Sequence, residues 1–210
     1  MGNLFLEFRN WGWNATTVGF LGTVFFTIFQ GWGLTKQLKT IKEKRSGKSI
    51  PVFLYGSFVG VYFAFGVYGY RCHSLAMILN GLLGLLYLRV YIAAVQFPDS
   101  DRWRAWHSIF LLLIPAMKYT SHPQGLMGLI LLVATSMLFQ APIEIYQKKS
   151  AGAVDLRYLA TFTASASFWV IYSIGIMDAV VFASNVVAVA VMFVTFRLWF
   201  KYRPAVLAGR

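Results

Sequence analysis

Long apolar runs separated by short polar turns make up almost the whole chain. Six of them, Thr16–Gln37, Pro51–Tyr70, Ser74–Gln96, Gln124–Ile143, Leu156–Ile176 and Ala179–Phe200, reach the roughly 20 residues that a helix needs to cross the hydrocarbon of a bilayer. A seventh, Trp103–Lys118, is shorter and holds Arg104 and His107 within it. One or two such runs could lie in the core of a soluble domain, but six could not. In lipid each run must satisfy its own backbone polar groups, which for a single segment means a helix. The pattern predicts an all-α, polytopic integral membrane protein.

Composition sharpens this reading. The 210 residues are 58% apolar and only 12% charged, where an ordinary soluble domain carries about a quarter charged residues. The 19 Lys and Arg outnumber the 7 Asp and Glu, and six of them crowd into residues 35–51, TKQLKTIKEKRSGKSIP. Short loops rich in Lys and Arg are retained on the cytoplasmic side. With seven spans and the N-terminus outside, 16 basic residues face the cytoplasm and only Arg9, Arg71 and Lys118 do not. Six spans would put both chain ends on one side and spoil that asymmetry. The expected organisation is an extracellular segment 1–15 and a cytoplasmic tail 201–210, in a plasma membrane or a bacterial cytoplasmic membrane. The net charge of +12 then requires no nucleic acid. The loop 36–48 is instead suited to anionic lipid headgroups. The first apolar run has full helix length and no basic cluster before it, so no cleaved leader is expected.

Chemistry is sparse. Cys72 is the only cysteine, which rules out an intramolecular disulfide and a cysteine metal cluster. His73, His107 and His122 lie near span ends without forming spaced pairs, so neither metal nor haem is expected, nor any other cofactor. The last span has no lysine at its middle to hold retinal; Lys201 lies beyond its end. The small hydroxyls of TASAS (163–167) have no embedded His or carboxylate beside them, so no catalytic constellation is present and an enzyme is not expected.

The chain also repeats itself. Shifted by 104 residues, KRSGKSIP (44–51) falls on KKSAGAVD (148–155), and YFAFGVYGY (62–70) on ASFWVIYSI (166–174). Lys44 meets Lys148, Ser46 meets Ser150, Phe58 meets Phe162, Phe65 meets Trp169 and Tyr68 meets Tyr172. One residue out of phase, Asn80 meets Asn185. Each repeat is then three spans, 16–96 and 124–200, with 103–118 as a linker helix. Three spans reverse direction, so one extra crossing restores the orientation and makes the repeats parallel.

With these motifs in order, the chain resembles the SWEET sugar transporters and the wider PQ-loop family over nearly its whole length. The resemblance rests on the 3+1+3 arrangement, the basic–Ser turn, the aromatic-x-x-Tyr and the single Asn of each repeat. It departs from the family at the Pro-Gln dipeptide, for which only KQ at 36–37 and FQAP at 139–142 stand near. Asp155 also occupies the second copy of Pro51.

The resemblance implies a facilitative carrier of a mono- or disaccharide working by alternating access. Asn80 and Asn185 would bind the solute, with Phe65 and Trp169 stacking on the sugar ring. Tyr68 and Tyr172 would serve as gate or interface anchors, and Pro51, Pro142, Gly31 and Gly33 as hinges. An amide in hydrocarbon is costly unless partnered, so interhelical hydrogen bonding is the competing role for each Asn. A carrier of an amino acid or other metabolite is the alternative within the fold, with Asp155 as the candidate for proton coupling. A peptide-signal receptor is the alternative of another class. Asp178 and Glu144 stand at span ends, where hydration accounts for them. Two chains could associate as a homo-oligomer.

Overall fold

A computed structural model of the chain describes residues 5–45, 52–96, 110–149 and 156–202. Within them every regular element is helical: α1 (Leu6–Arg9), α2 (Ala15–Lys44), α3 (Val52–Arg71), α4 (Leu75–Gly81), α5 (Leu83–Val95), α6 (Leu113–Tyr119), α7 (Pro123–Ser136), α8 (Gln140–Lys148), α9 (Leu156–Ile176) and α10 (Ala179–Tyr202). α4 and α5 are two segments of one apolar helix, and α7 continues into α8 through a 3-10 turn, Met137–Phe139. Among the described residues five helices are long and apolar enough to cross a membrane: Ala15–Glu43, Leu75–Val95, Pro123–Gln147, Leu159–Ile176 and Ala179–Tyr202. The expected seven spans add α3, a helix of 20 residues, and the linker. Of the linker 103–118 only residues 110–118 lie within the described residues, in the short apolar helix Phe110–Tyr119.

Several boundaries differ from the hydropathy pattern. α2 runs on to Lys44 rather than ending at Gln37, so Lys36, Lys39 and Lys42 ride on a helical extension instead of a loop. Lys, Gln and Glu are good helix formers, and Lys39 pairs with Glu43 one turn on at 3.6 Å. Exposed pairs of this kind add only a few tenths of a kcal/mol, ~0.3 to 0.5. Lys36 also places its ammonium 3.5 Å from the centre of the Trp32 ring. α7 begins on Pro123, a natural first helical residue because its missing N–H would be unpaired there anyway.

The chain divides into two compact units. One comprises Met1–Gly12 and Thr23–Met127, the other Trp13–Gly22 and Gly128–Arg210. In the first, Leu34 and Ile41 of α2 pack with Leu83, Val90, Ala93 and Ala94 of α4–α5, and Tyr55, Tyr62 and Tyr87 close the cluster. Tyr62 and Tyr87 stack at 4.9 Å. α3 and α4 meet backbone to backbone: a Cβ on Gly81 would lie 2.5 Å from the Gly66 Cα. Small residues of this kind let helices approach closely where lipid offers no hydrophobic drive. The linker is fastened to α3. Gly60 leaves room for the Phe110 backbone, and the Arg71 guanidinium donates to the Met117 carbonyl (3.0 Å) and the Thr120 carbonyl (2.7 Å).

In the second unit Leu159, Val191 and Met192 form the centre, joined by Leu138, Phe162, Phe196 and Trp199. The start of α2 packs here too. Gly19 lies against the backbone of Tyr172 and Gly22 under the ring of Phe168, while Gly175 leaves room for Thr16.

The 104-residue repeat reappears in the backbone. Arg45 and Lys149, and likewise His73 and Met177, are left-handed pairs with φ between 48° and 56°. The turn that opens each repeat's third helix is bonded alike. His73 N–H reaches the Tyr70 carbonyl and Met177 N–H the Ile174 carbonyl, both at 3.3 Å. Ser74 N–H reaches Gly69 at 2.8 Å and Asp178 N–H reaches Ser173 at 3.0 Å.

Candidate functional site

The two amides sit differently in their units. Asn80 is the penultimate residue of α4 and only 6% exposed. Its Nδ2 donates to Thr27 Oγ1 of α2 at 2.9 Å, and that hydroxyl donates to the Thr23 carbonyl at 2.8 Å. Because the hydroxyl proton is committed to Thr23, the Thr27 oxygen acts as acceptor toward Asn80, and the amide orientation follows. Asn185 of α10 is half-buried, and its Nδ2 donates to the Val181 carbonyl of its own helix at 2.8 Å. Ser184 Oγ donates to the same carbonyl at 3.0 Å. A strict shift of 104 puts Asn80 on Ser184. Asn185, one residue on, is turned by about 100° around the helix. Among the described residues no hydrogen bond reaches Oδ1 of Asn80 or of Asn185, so each amide keeps an acceptor oxygen.

The aromatics are buried in both units. Phe65 and Trp169 are nearly covered, and Tyr68 and Tyr172 are fully so. Trp169 and Tyr172 meet edge to face at 5.6 Å, the arrangement that aromatic quadrupoles favour. Gly19, where any side chain would strike the Tyr172 backbone, allows α2 to press on this pair.

The expected hinges differ among themselves. Pro142 is buried in α8, just past the 3-10 turn Met137–Phe139, and such a turn inside a long helix is where bending concentrates. Gly31 lies close to Leu86, since a Cβ there would be 3.3 Å from Leu86 Cδ1, whereas a Cβ on Gly33 would meet nothing within 4 Å. Pro51 and Asp155 lie outside the described residues, as do Ser46 and Lys48 of the first basic turn and Ser150 of the second.

Three polar residues carry more than the sequence disclosed. Asp178, expected to be hydrated at a span end, is instead buried, and its Oδ1 accepts from Val180 N and Val181 N at 3.0 Å each. It caps α10, satisfying amides that otherwise have no partner. Thr27 is the interhelical partner of Asn80; its only trace in the sequence is the Thr23–Thr27 spacing of one turn in an apolar helix. Glu7 is fully buried, and its carboxylate accepts from Ser74 Oγ (3.2 Å), Leu75 N (3.1 Å) and Ala76 N (2.9 Å). No local pattern announces that contact.

Comparison with known proteins bears on this arrangement. Residues 125–206 match the sequence model of a family described as "Sugar efflux transporter for intercellular exchange", the SWEET family. The structure matches that of a eukaryotic SWEET transporter with a TM-score of 0.67 at 13% identity, over 90% of this chain and 96% of that one. The chain has the SWEET fold. No curated protein matches it by sequence. The SWEET fold accounts for the all-helical architecture and the apolar spans of an integral membrane protein. The family match falls on the second repeat, which holds Asn185, Trp169, Tyr172 and Pro142.

Proposed function

We propose that this protein is a facilitative transporter of a mono- or disaccharide, working by alternating access. Asn80 and Asn185 bind the sugar through their amides, and Phe65 and Trp169 stack on its ring. The observation that carries this reading is the duplicated amide–aromatic set on a SWEET fold, with a family described as sugar efflux transporters matching its second copy. Each amide commits Nδ2 to the protein and leaves Oδ1 to accept from a sugar hydroxyl. Because a sugar also presents apolar ring faces, an aromatic wall beside an amide suits it. Basic residues concentrate on the extension of α2 and around Lys148, Lys149 and Lys201, which supports a cytoplasmic C-terminus and an outside N-terminus.

Uptake of labelled sugars and amino acids into proteoliposomes tests the proposal. Passive equilibration of at least one sugar, unaffected by a proton gradient, is the expected result. Uptake of amino acids alone, or only at acid pH, would instead establish a metabolite carrier and direct attention to Asp155.

A further inference from the structure

The third helix of each repeat carries a carboxylate at its N-terminus, but the two copies obtain it from different places. In the second repeat Asp178 supplies it from the capping position itself, to Val180 N and Val181 N. The equivalent position of the first repeat is Ser74, which has no carboxylate to offer; its hydroxyl accepts from Met77 N at 3.2 Å. The missing carboxylate arrives from Glu7, which takes Leu75 N, Ala76 N and the Ser74 hydroxyl proton. α1 is held there by a further bond, from Leu6 N to the His73 carbonyl at 2.9 Å.

A carboxylate at this place does two things. It satisfies amides that have no partner within the helix, and it complements the positive end of the helix dipole. Asn80 stands about one and a half turns further along the same helix. We propose that Glu7 is a positioning residue for the sugar-binding amide: from the N-terminal arm it fixes the first turn of α4, and with it the Asn80 side chain. The inference rests on the sugar-binding role proposed above for Asn80. In the second repeat the cap is part of the helix that bears Asn185; in the first it belongs to a separate segment.

The experiment moves the carboxylate. Glu7→Ala removes it, Glu7→Gln keeps one acceptor oxygen but turns an NH₂ toward a backbone N–H, and Glu7→Ala with Ser74→Asp rebuilds the cap as the second repeat has it. Amide hydrogen exchange over residues 74–80 in lipid nanodiscs reads the cap without reference to transport. Glu7→Ala should accelerate exchange there about tenfold, leave residues 178–184 unchanged, and be reversed in the double variant. Transport of whichever sugar the wild type carries reads the consequence. KM should rise about tenfold in Glu7→Ala and about threefold in Glu7→Gln, with the maximal rate within twofold, and return near wild type in the double variant.

Unchanged exchange in Glu7→Ala overturns the cap. Altered and rescued exchange with unchanged KM overturns the positioning role. If Glu7→Ala fails to fold, the double variant decides: folding with normal KM supports the proposal, and failure overturns it. A wild type that carries no sugar but shows the exchange pattern overturns the transport reading and the positioning role while the cap stands.

Discussion

Asn80 and Asn185 occupy corresponding helices, yet one is tied across to α2 through Thr27 and the other only to its own helix at Val181. Their neighbours differ in the same sense: Gly81 is pressed on Gly66, whereas Val186 is exposed. The first amide is thus fixed within a packed interface, and the second sits on a surface that can adjust. Backbone symmetry has been kept while the side-chain settings have diverged, so equivalent positions need not respond equally to change.

The largest effect should come from making the first setting like the second. Gly81→Val sets a Cβ 2.5 Å from the Gly66 Cα, where backbone cannot yield, and should cost about 3 kcal/mol or more. Loss of a monodisperse peak in size-exclusion chromatography is the readout, and a well-folded variant would mean that α3 and α4 do not meet there. Truncating the amides comes next. Asn185→Ala should lower transport efficiency about tenfold, the equivalent of roughly 1.4 kcal/mol, with the melting temperature unchanged. Asn80→Ala should lose transport similarly and also melt earlier, by the ~0.6 kcal/mol typical of a hydrogen bond between membrane helices. Equal melting of the two variants would remove the distinction.

A smaller effect is expected from Thr27→Val, which keeps the shape and removes the acceptor. It should raise KM a few fold and cost about 1 kcal/mol or less, while Thr27→Ser stays near wild type. If both behave as wild type in transport and thermal melts, Thr27 does not orient Asn80. Smallest of all is Gly33→Ala, where the new methyl meets nothing. Stability should hold or rise by up to about 1 kcal/mol, the helix preference for Ala over Gly. Slower transport at unchanged stability would identify Gly33 as a hinge; an unchanged rate leaves bending to Pro142 and the turn before it.

Much of the fold was legible because membrane helices announce themselves by length and composition, and because a duplicated chain gives two readings of each element. The repeat was legible down to Tyr68 and Tyr172, which are equally buried. The left-handed turn residues were not, since none of Arg45, His73, Lys149 and Met177 is the Gly or Asn that usually marks that conformation. Nor was the helical extension past Gln37, because a basic run reads as a loop when only hydropathy is followed. Of the site, the amides stood out as polar atoms in apolar helices. Their partners did not, because Thr27 lies 53 residues from Asn80, and Glu7 lies 67 to 69 residues from the groups it caps. Pairings that distant follow from tertiary packing, which periodicity does not encode.

Arg71 and Gly175 stand at one repeat position and have opposite uses. The arginine reaches out to hold the linker by two carbonyls, and the glycine makes way for Thr16 at the start of α2. The duplication has thereby lost its interchangeability. A chimera built from two copies of the first repeat would bring a second arginine with no linker to grasp, and one built from two copies of the second would leave the linker unmoored. The segment between the repeats, fastened as it is to Arg71 and Gly60, goes with the first copy and has no counterpart contact at Gly175 in the second.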